Sequence, residues 1–530
     1  MRPLLVAGAG ALLLLPVVAS AGGAGPGGQR HAAATSLRAD FDGDGFGDLA
    51  VAAPGERPGG AVHVLYGSAA GLTARGDQVW SQGSRGVPGR PERGDEFGAS
   101  LAVGDLDGDG RADLAIGVPG EGHAGTAVNG PGVVEVLYGS PRGLTASHSQ
   151  LWSQDSAGVA GRAEPRDAFG TALAVADLGA GRRTDLAVGV PGENGSRGVV
   201  QVLTGSPRGL SSGHSQRWSL DSPGVPGAAR RGDGFGGALA AGDLDGDRHA
   251  DLAIGSARAD VRGADGAGVV SVVYGARAGL TSAGAQRWTQ DSRGVAGTAE
   301  TEDWFGGALT VANFDGDRRD DLAVGVAGET LAVVAEAAGA VNVLYGTASG
   351  VTAADDQLWT EDSPGVADIS QPREELGAAV TAGDFDGDGH ADLAVGVPFQ
   401  SLGDPSTLVP DAGTVHMLRG SAAGLTATGS QLWSQDSPGV PGRAEESDRF
   451  GSALGTGDLD ADGRSDLSVG SPGESVGGDF GAGAVHVLAG SPSGLTSAGS
   501  RQWSQDSPGV AGTPGRTDFF GWALSSSAGD

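Results

Sequence analysis

The sequence predicts an all-β protein, a seven-bladed β-propeller of four-stranded antiparallel blades closed by the C-terminal strand. Three observations lead there. An Asp-rich loop recurs seven times, starting at Asp40, Asp105, Asp177, Asp243, Asn313, Asp384 and Asp458, at intervals of 65, 72, 66, 70, 71 and 74 residues. Seven tryptophans keep the same rhythm: Trp80, Trp152, Trp218, Trp288, Trp359, Trp433 and Trp503. Inside each unit, short β-branched or alternating apolar runs are separated by Gly, Pro and Asp clusters, which reads as four strands per repeat. A blade of that size cannot bury its own faces, so repeats of it stack into a ring that buries them against neighbours.

The second unit shows the elements in order. Strand one is expected over 97–104, strand two over 113–118, strand three over 133–138 and strand four around Trp152. From each Trp to the Phe opening the next unit is 17 residues, with Leu376 standing for Phe in one unit, and from there to the loop's first residue is 8. From the Gly ending strand three, as at Gly67, Gly139 or Gly420, to the Trp is 13. Length variation is therefore confined to the connection between strands two and three. Successive turns of an antiparallel meander alternate ends, so the one-two and three-four turns share one face and the two-three and four-one turns the other. The variable loops gather on that second face.

Asp518, Phe519, Phe520, Gly521, Trp522, Ala523 and Leu524 begin an eighth unit, whereas the first unit lacks the Phe-Gly start found elsewhere. The two fit one another: the C-terminal strand is expected to complete the first blade and leave no open sheet edge. Residues 34–39 compete for the same place.

Residues 1–21 read as a secretory signal peptide, with Arg2, an apolar run over 4–18 and an Ala19-Ser20-Ala21 cleavage site. Residues 22–34, rich in Gly and Ala, read as a flexible leader, and 35–530 as the propeller. No later run is long and apolar enough to span a membrane. The 100 glycines follow no collagen-like period and 39 % of residues are apolar, which excludes collagen and disorder. Without Cys, disulfides cannot brace an exported fold, and metal ions are the natural substitute. Net charge is −31 and all 34 cations are Arg, a surface that repels nucleic acid and anionic lipid heads. The expectation is a secreted or cell-wall-associated monomer.

The loop is clearest in the second unit. Asp105, Asp107, Asp109 and Asp113 stand at positions 1, 3, 5 and 9, the Arg111 carbonyl at 7 and Gly110 at the bend, a set of hard oxygens that suits Ca²⁺. Position 12 is Ile116 in a strand, where an EF-hand needs Glu. Three further loops are complete: Asp40, Asp42, Asp44, Phe46 and Asp48; Asp384, Asp386, Asp388, His390 and Asp392; Asp458, Asp460, Asp462, Arg464 and Asp466. Two more keep their ligands but put Arg248 and Arg318 at the Gly position: Asp243, Asp245, Asp247, His249 and Asp251, and Asn313, Asp315, Asp317, Arg319 and Asp321. These are expected to bind more weakly, because Arg resists a positive φ and brings a like charge. The third loop has Gly179 and Gly181 where ligands belong, and no ion is expected there. Each loop gathers carboxylates that otherwise repel one another, so the calcium is read as structural.

Phe97-Gly98 and Phe169-Gly170, the D-x-D-G-D-G-x-x-D loop, and the Gly-x-Pro-Gly at 117–120 and 189–192 together resemble the FG-GAP repeat of integrin α-subunit propellers, in the form of bacterial secreted proteins. The resemblance implies a calcium-bearing propeller that binds an extracellular protein or glycan on the face opposite its calcium loops. It implies a binding or adhesion module rather than an enzyme. The alternatives are an ester- or phospholipid-cleaving hydrolase and a structural envelope protein.

The longest two-three loops are 399–412, 120–132, 257–267, 328–338 and 473–483, the natural places for specificity. Arg-Gly-Asp occurs at 75–77, 93–95 and 231–233, the last two inside connectors where repeat drift explains them. Residues 209–213 satisfy G-x-S-x-G around Ser211, without the strand-to-helix context of a hydrolase elbow. His63, His416 and His486 fall in strand three, and His148 and His214 before strand four. No catalytic residues are assigned, and the seven Trp are read as blade packing rather than a sugar-stacking ring.

Overall fold

The computed structural model describes residues 39–122, 130–179, 183–331, 336–404 and 406–526. The expected signal peptide and leader lie outside them.

The fold is the seven-bladed propeller the repeats predict. The second blade pairs Ser100–Gly104, Asp113–Val118, Val133–Tyr138 and Thr145–Trp152 in chain order, all antiparallel, and five other blades repeat that order. First strands of successive blades lie side by side around the axis. Strands two and three are buried on both faces, which is why they read as continuous apolar runs, while strand four is half exposed at the rim.

Strand one begins later than the sequence suggests, at Ser100, because Phe97 and Gly98 form a turn with Gly98 at φ 96°. Strand four begins earlier, so His148 and His214 lie within it. Strand three meets strand four through an irregularity in register, in the second blade between Val136 and Tyr138, and each other blade has its counterpart. A shared bulge and turn account for the constant distance from Gly139 and its counterparts to the Trp.

The first blade has three strands in sequence, Leu49–Ala53, Ala61–Tyr66 and Thr73–Trp80. The C-terminal segment supplies the fourth. The Ala52 N–H donates to the Ala523 carbonyl at 2.9 Å, the Ser525 N–H to the Ala50 carbonyl at 3.0 Å, and Leu524 bridges Val51.

Among the described residues the buried apolar side chains form eight clusters, seven of them shared by two neighbouring blades and the eighth, Ala259, Val261, Ala267 and Val269, within the fourth blade. Phe97, Phe169, Phe235, Phe305, Phe450 and Phe520 are wholly buried in these seams, and Leu376 replaces the seventh. Each contributes about 2 to 3 kcal/mol by leaving water. Trp80, Trp152, Trp288, Trp359 and Trp433 pack partly buried against the same clusters, and Trp218 and Trp503 lie inside them, so the tryptophans serve packing.

The Gly after strand two is required by proximity. A Cβ on Gly120 would lie 1.9 Å from the Gly94 carbonyl oxygen, and one on Gly192 1.7 Å from that of Arg166. The backbone of the four-one connector passes directly over this position.

Candidate metal centres and the loop face

In the second blade the Asp105 carboxylate organises the loop. Its Oδ1 accepts the N–H groups of Gly108 and Asp109 at 2.6 and 3.0 Å, and its Oδ2 accepts that of Gly110 at 2.9 Å. Asp107 Oδ1 accepts the Asp109 N–H, and Asp109 Oδ1 accepts the Arg111 N–H. Gly110 bends the chain at φ 91°; in the fourth and fifth loops Arg248 and Arg318 make the same bend at φ 73° and 80°. That left-handed conformation costs a side-chain-bearing residue about 1 to 2 kcal/mol.

Position 9 is a latch. Asp113 Oδ2 accepts the Leu106 N–H at 2.8 Å and Oδ1 the Gly139 N–H at 2.9 Å, tying the loop to the end of strand three. Asp48, Asp251, Asp321, Asp392 and Asp466 each repeat both bonds. In the third blade Asp185 keeps the bond from Gly205 although Gly179 stands at position 3. Its Gly181 lies outside the described residues. Burial pushes the carboxyls of Asp48, Asp113 and Asp251 up to about 8, a tendency that a divalent cation beside them would reverse.

The fold brings these carboxylates together. Asp40, Asp42 and Asp48 place oxygens within 4.8 Å of one another, as do Asp105, Asp107 and Asp113; Asp243, Asp245 and Asp251; Asp384, Asp386 and Asp392; and Asp458, Asp460 and Asp462. The all-oxygen donor set fits Ca²⁺, and these residues would hold it. Asp44, Asp109, Asp247 and Asp388 at position 5 stand outside these groups, and Asp466 stands outside the seventh. Each position-5 carboxylate caps the N–H of position 7, in Phe46, Arg111, His249, Arg319, His390 or Arg464. The side chain of Arg111 also holds Asp109 Oδ2 at 2.8 Å, as Arg319 holds Asp317. In the fifth loop Asn313 Oδ1 is buried without a hydrogen-bond partner among the described residues.

One pairing the sequence did not indicate lies in the sixth blade. Arg419 stands at the end of strand three where four other blades carry Tyr66, Tyr138, Tyr274 and Tyr345, and its guanidinium sits 2.8 Å from Asp386 Oδ2, a ligand position. A fixed cation there competes with any ion in that loop.

The loops are also joined from blade to blade. The position-8 N–H donates to the position-1 carbonyl of the preceding loop in Ala112 to Asp40, Asp320 to Asp243, Ala391 to Asn313 and Ser465 to Asp384, all at 2.9 or 3.0 Å. Among the described residues neither junction of the third blade has this bond.

On the opposite face, the loops over 257–267, 399–412 and 473–483 are pinned by their own bridges, Val261 with Ala264, Leu402 with Val409 and Val476 with Asp479. Much of the 120–132 and 328–338 loops lies outside the described residues. Arg-Gly-Asp carboxylates are used internally: Asp77 accepts the Ala511 N–H, Asp95 that of Glu92 and Asp233 that of Arg230. Ser211 sits within the strand Gly209–Trp218, its Oγ accepting the Gly213 N–H at 3.1 Å, so this is no nucleophile elbow.

The family model for the FG-GAP repeat matches residues 32–65, 97–137, 235–273, 376–416 and 450–488. The unmatched third and fifth units are those with the degenerate loop and with Asn313 at position 1. The rat phosphatidylinositol-glycan-specific phospholipase D is 33 % identical over 181 residues, 32 % of this chain and 20 % of that protein. Human integrin alpha-D is 37 % identical over 167 residues, 31 % of this chain and 13 % of its own length. Drosophila melanogaster integrin alpha-PS2 is 30 % identical over 240 residues, 44 % of this chain and 15 % of its own length. The chain thus matches a fifth or less of each of these relatives.

Proposed function

The chain is built of FG-GAP repeats and is homologous to integrin α subunits, and from that premise we propose that it is a secreted, calcium-binding propeller acting as an extracellular binding or adhesion module. It engages a protein or glycan through the face opposite its calcium loops, and the calcium holds the ring in shape. One observation carries the reading. The large apolar side chains most exposed among the described residues, Ile369, Leu408 and Phe480 at 66, 50 and 47 %, all lie on that face, in the connector or two-three loops of consecutive blades. Apolar groups presented by loops on a rigid scaffold are what recognition surfaces use.

The test is adhesion. Beads carrying the protein are offered to a glycan array and to intact bacterial cells, alongside a Leu408→Asp, Phe480→Asp variant. Capture reduced at least tenfold at unchanged melting temperature supports the reading; capture that survives both substitutions overturns it.

The similarity to phosphatidylinositol-glycan-specific phospholipase D motivates a second reading, a hydrolase of esters or phospholipids. Release of product from a phospholipid or ester substrate by the purified full chain would favour it over a pure binding role. Fractionation between medium and cell wall separates both from an envelope component.

A further inference from the structure

At five blade junctions a polar bridge, buried at three and half-buried at two, closes the seam beneath the variable loops. Gln82 Nε2 donates to Glu121 at 2.5 Å and Gln505 to Glu56 at 2.8 Å; Gln154 with Glu193, Gln290 with Glu329 and Gln435 with Glu474 repeat the pair. The Gln follows the Trp by two residues, and the Glu follows strand two of the next blade. Between the third and fourth blades both members are apolar: Leu220 stands for Gln and Ala259 for Glu. The short Ala259 leaves space, and a cavity of about 720 Å³ opens there, within the usual range of ligand sites. Its buried floor is Leu220, Ala259, Val261 and Val269.

Four arginines line this cavity, Arg230, Arg262, Arg287 and Arg293, in a chain whose net charge is −31. The neighbouring carboxylates are already engaged. Asp233 accepts the Arg230 main-chain N–H at 2.6 Å, Asp260 the Gly266 N–H at 3.1 Å, and Asp291 pairs with Arg262 at 3.2 Å. Among the described residues the side chains of Arg230, Arg287 and Arg293 have no hydrogen bond or ion pair. Burial and then the adjacent Arg230 depress the Arg287 guanidinium below its ordinary value, and the Asp233 carboxylate only partly offsets them. Four guanidinium groups around one cavity, with the Asp233 carboxylate offsetting only part of the charge of Arg230 and Arg287, above an apolar floor match an oxyanion joined to an apolar body.

We propose that this cavity binds a small organic anion, its carboxylate or phosphate held by Arg230 and Arg287 and its body lying on Leu220, Ala259 and Val261. The proposal deepens, and rests on, the reading of this face as the ligand-binding side.

The test is titration calorimetry of the full chain with calcium at low ionic strength, using benzoate, naphthoate and phenyl phosphate as probes and benzamide as the neutral control. An anionic probe is expected to bind at least tenfold more tightly than benzamide. Arg230→Ala with Arg287→Ala should weaken it at least tenfold. Leu220→Gln with Ala259→Glu, which restores the bridge of the other junctions, should abolish it without lowering the melting temperature, so the outcome does not depend on the arginine variant folding. Anionic probes no tighter than benzamide overturn the proposal. Loss in the arginine variant alone places the anion outside the cavity, and loss in the bridge variant alone removes the anionic specificity; either overturns the assignment. If the probes fail while Leu408→Asp with Phe480→Asp still reduces capture, this cavity falls and the loop-face reading stands.

Discussion

The main-chain N–H of Gly47, in the Asp-rich loop of the first blade, donates to the carbonyl of Asp458, which opens the loop of the seventh, at 3.0 Å. Loops at the two ends of the repeat array are thereby joined directly, as they are at four other junctions. An ion that orders one loop also fixes the carbonyl its neighbour needs.

Calcium removal should therefore loosen the whole ring. A site held at a hundred times its dissociation constant contributes about 2.7 kcal/mol, so several sites together move the melting temperature by many degrees. Scanning calorimetry with and without chelator checks this, and a melting temperature indifferent to chelator would sink the metal assignment.

In the sixth blade the competing cation can be removed. Arg419→Tyr, which restores the residue of four sister blades, should raise calcium affinity at Asp384, Asp386 and Asp392. Equilibrium dialysis at limiting calcium should show one more ion per chain than the parent; equal stoichiometry at every concentration speaks against competition.

Latch and ligand roles can be separated. Asp113→Asn leaves a buried backbone N–H without an acceptor, costing about 1 to 3 kcal/mol already in chelator, in addition to any calcium it costs as a member of the ligand group. Asp107→Ala should lower bound calcium by one ion and destabilise only the calcium-loaded protein. Denaturant midpoints of both variants in calcium and in chelator distinguish them, and identical behaviour would refute the division.

Glu135 gives a pH dependence of definite sign. It is wholly buried, neither carboxylate oxygen has a partner among the described residues, and burial pushes it from 4.5 up to about 9, helped by Glu121. The folded state holds a proton that the unfolded chain releases, so this stability is present below the ordinary value of 4.5 and is lost as pH rises toward 9. Glu135→Gln should match the parent at pH 4 and exceed it at pH 8, read from urea midpoints. Parallel pH profiles would contradict the assignment.

Gly192→Ala places a methyl against the Arg166 carbonyl and should destabilise by about 3 kcal/mol, measured by thermal melting. A change below a few tenths would show that the connector moves aside freely.

Most of the fold is legible because it is repeated. Asp113–Val118 and Val133–Tyr138 stand where the sequence puts them, and the Phe-Gly start at Phe520 identified the strand that completes the first blade. The start of strand one is hidden in the sequence because the buried Phe97 looks like strand sequence while Gly98 turns the chain. Arg419 on Asp386 is invisible in the loop motif, since it joins the end of strand three to the one-two loop. The bridge of Gln82 with Glu121 did leave a signal, two polar residues at the same separation of 39 in four copies, but its partners lie in different blades and no single repeat displays it.

The strand contributed by the C-terminal segment also sets an order of events. Ala50 and Ser525 are 475 residues apart, so this closure joins the two ends of the described chain and has a very large loop to close. Blades two to seven can each pair their strands locally as soon as their own residues are available. The first blade cannot, and until the last strand arrives Leu49–Ala53 offers an unpaired apolar edge to any other chain nearby. The interval before closure exposes the chain to misassembly, and any agent that shortens it acts as a folding aid.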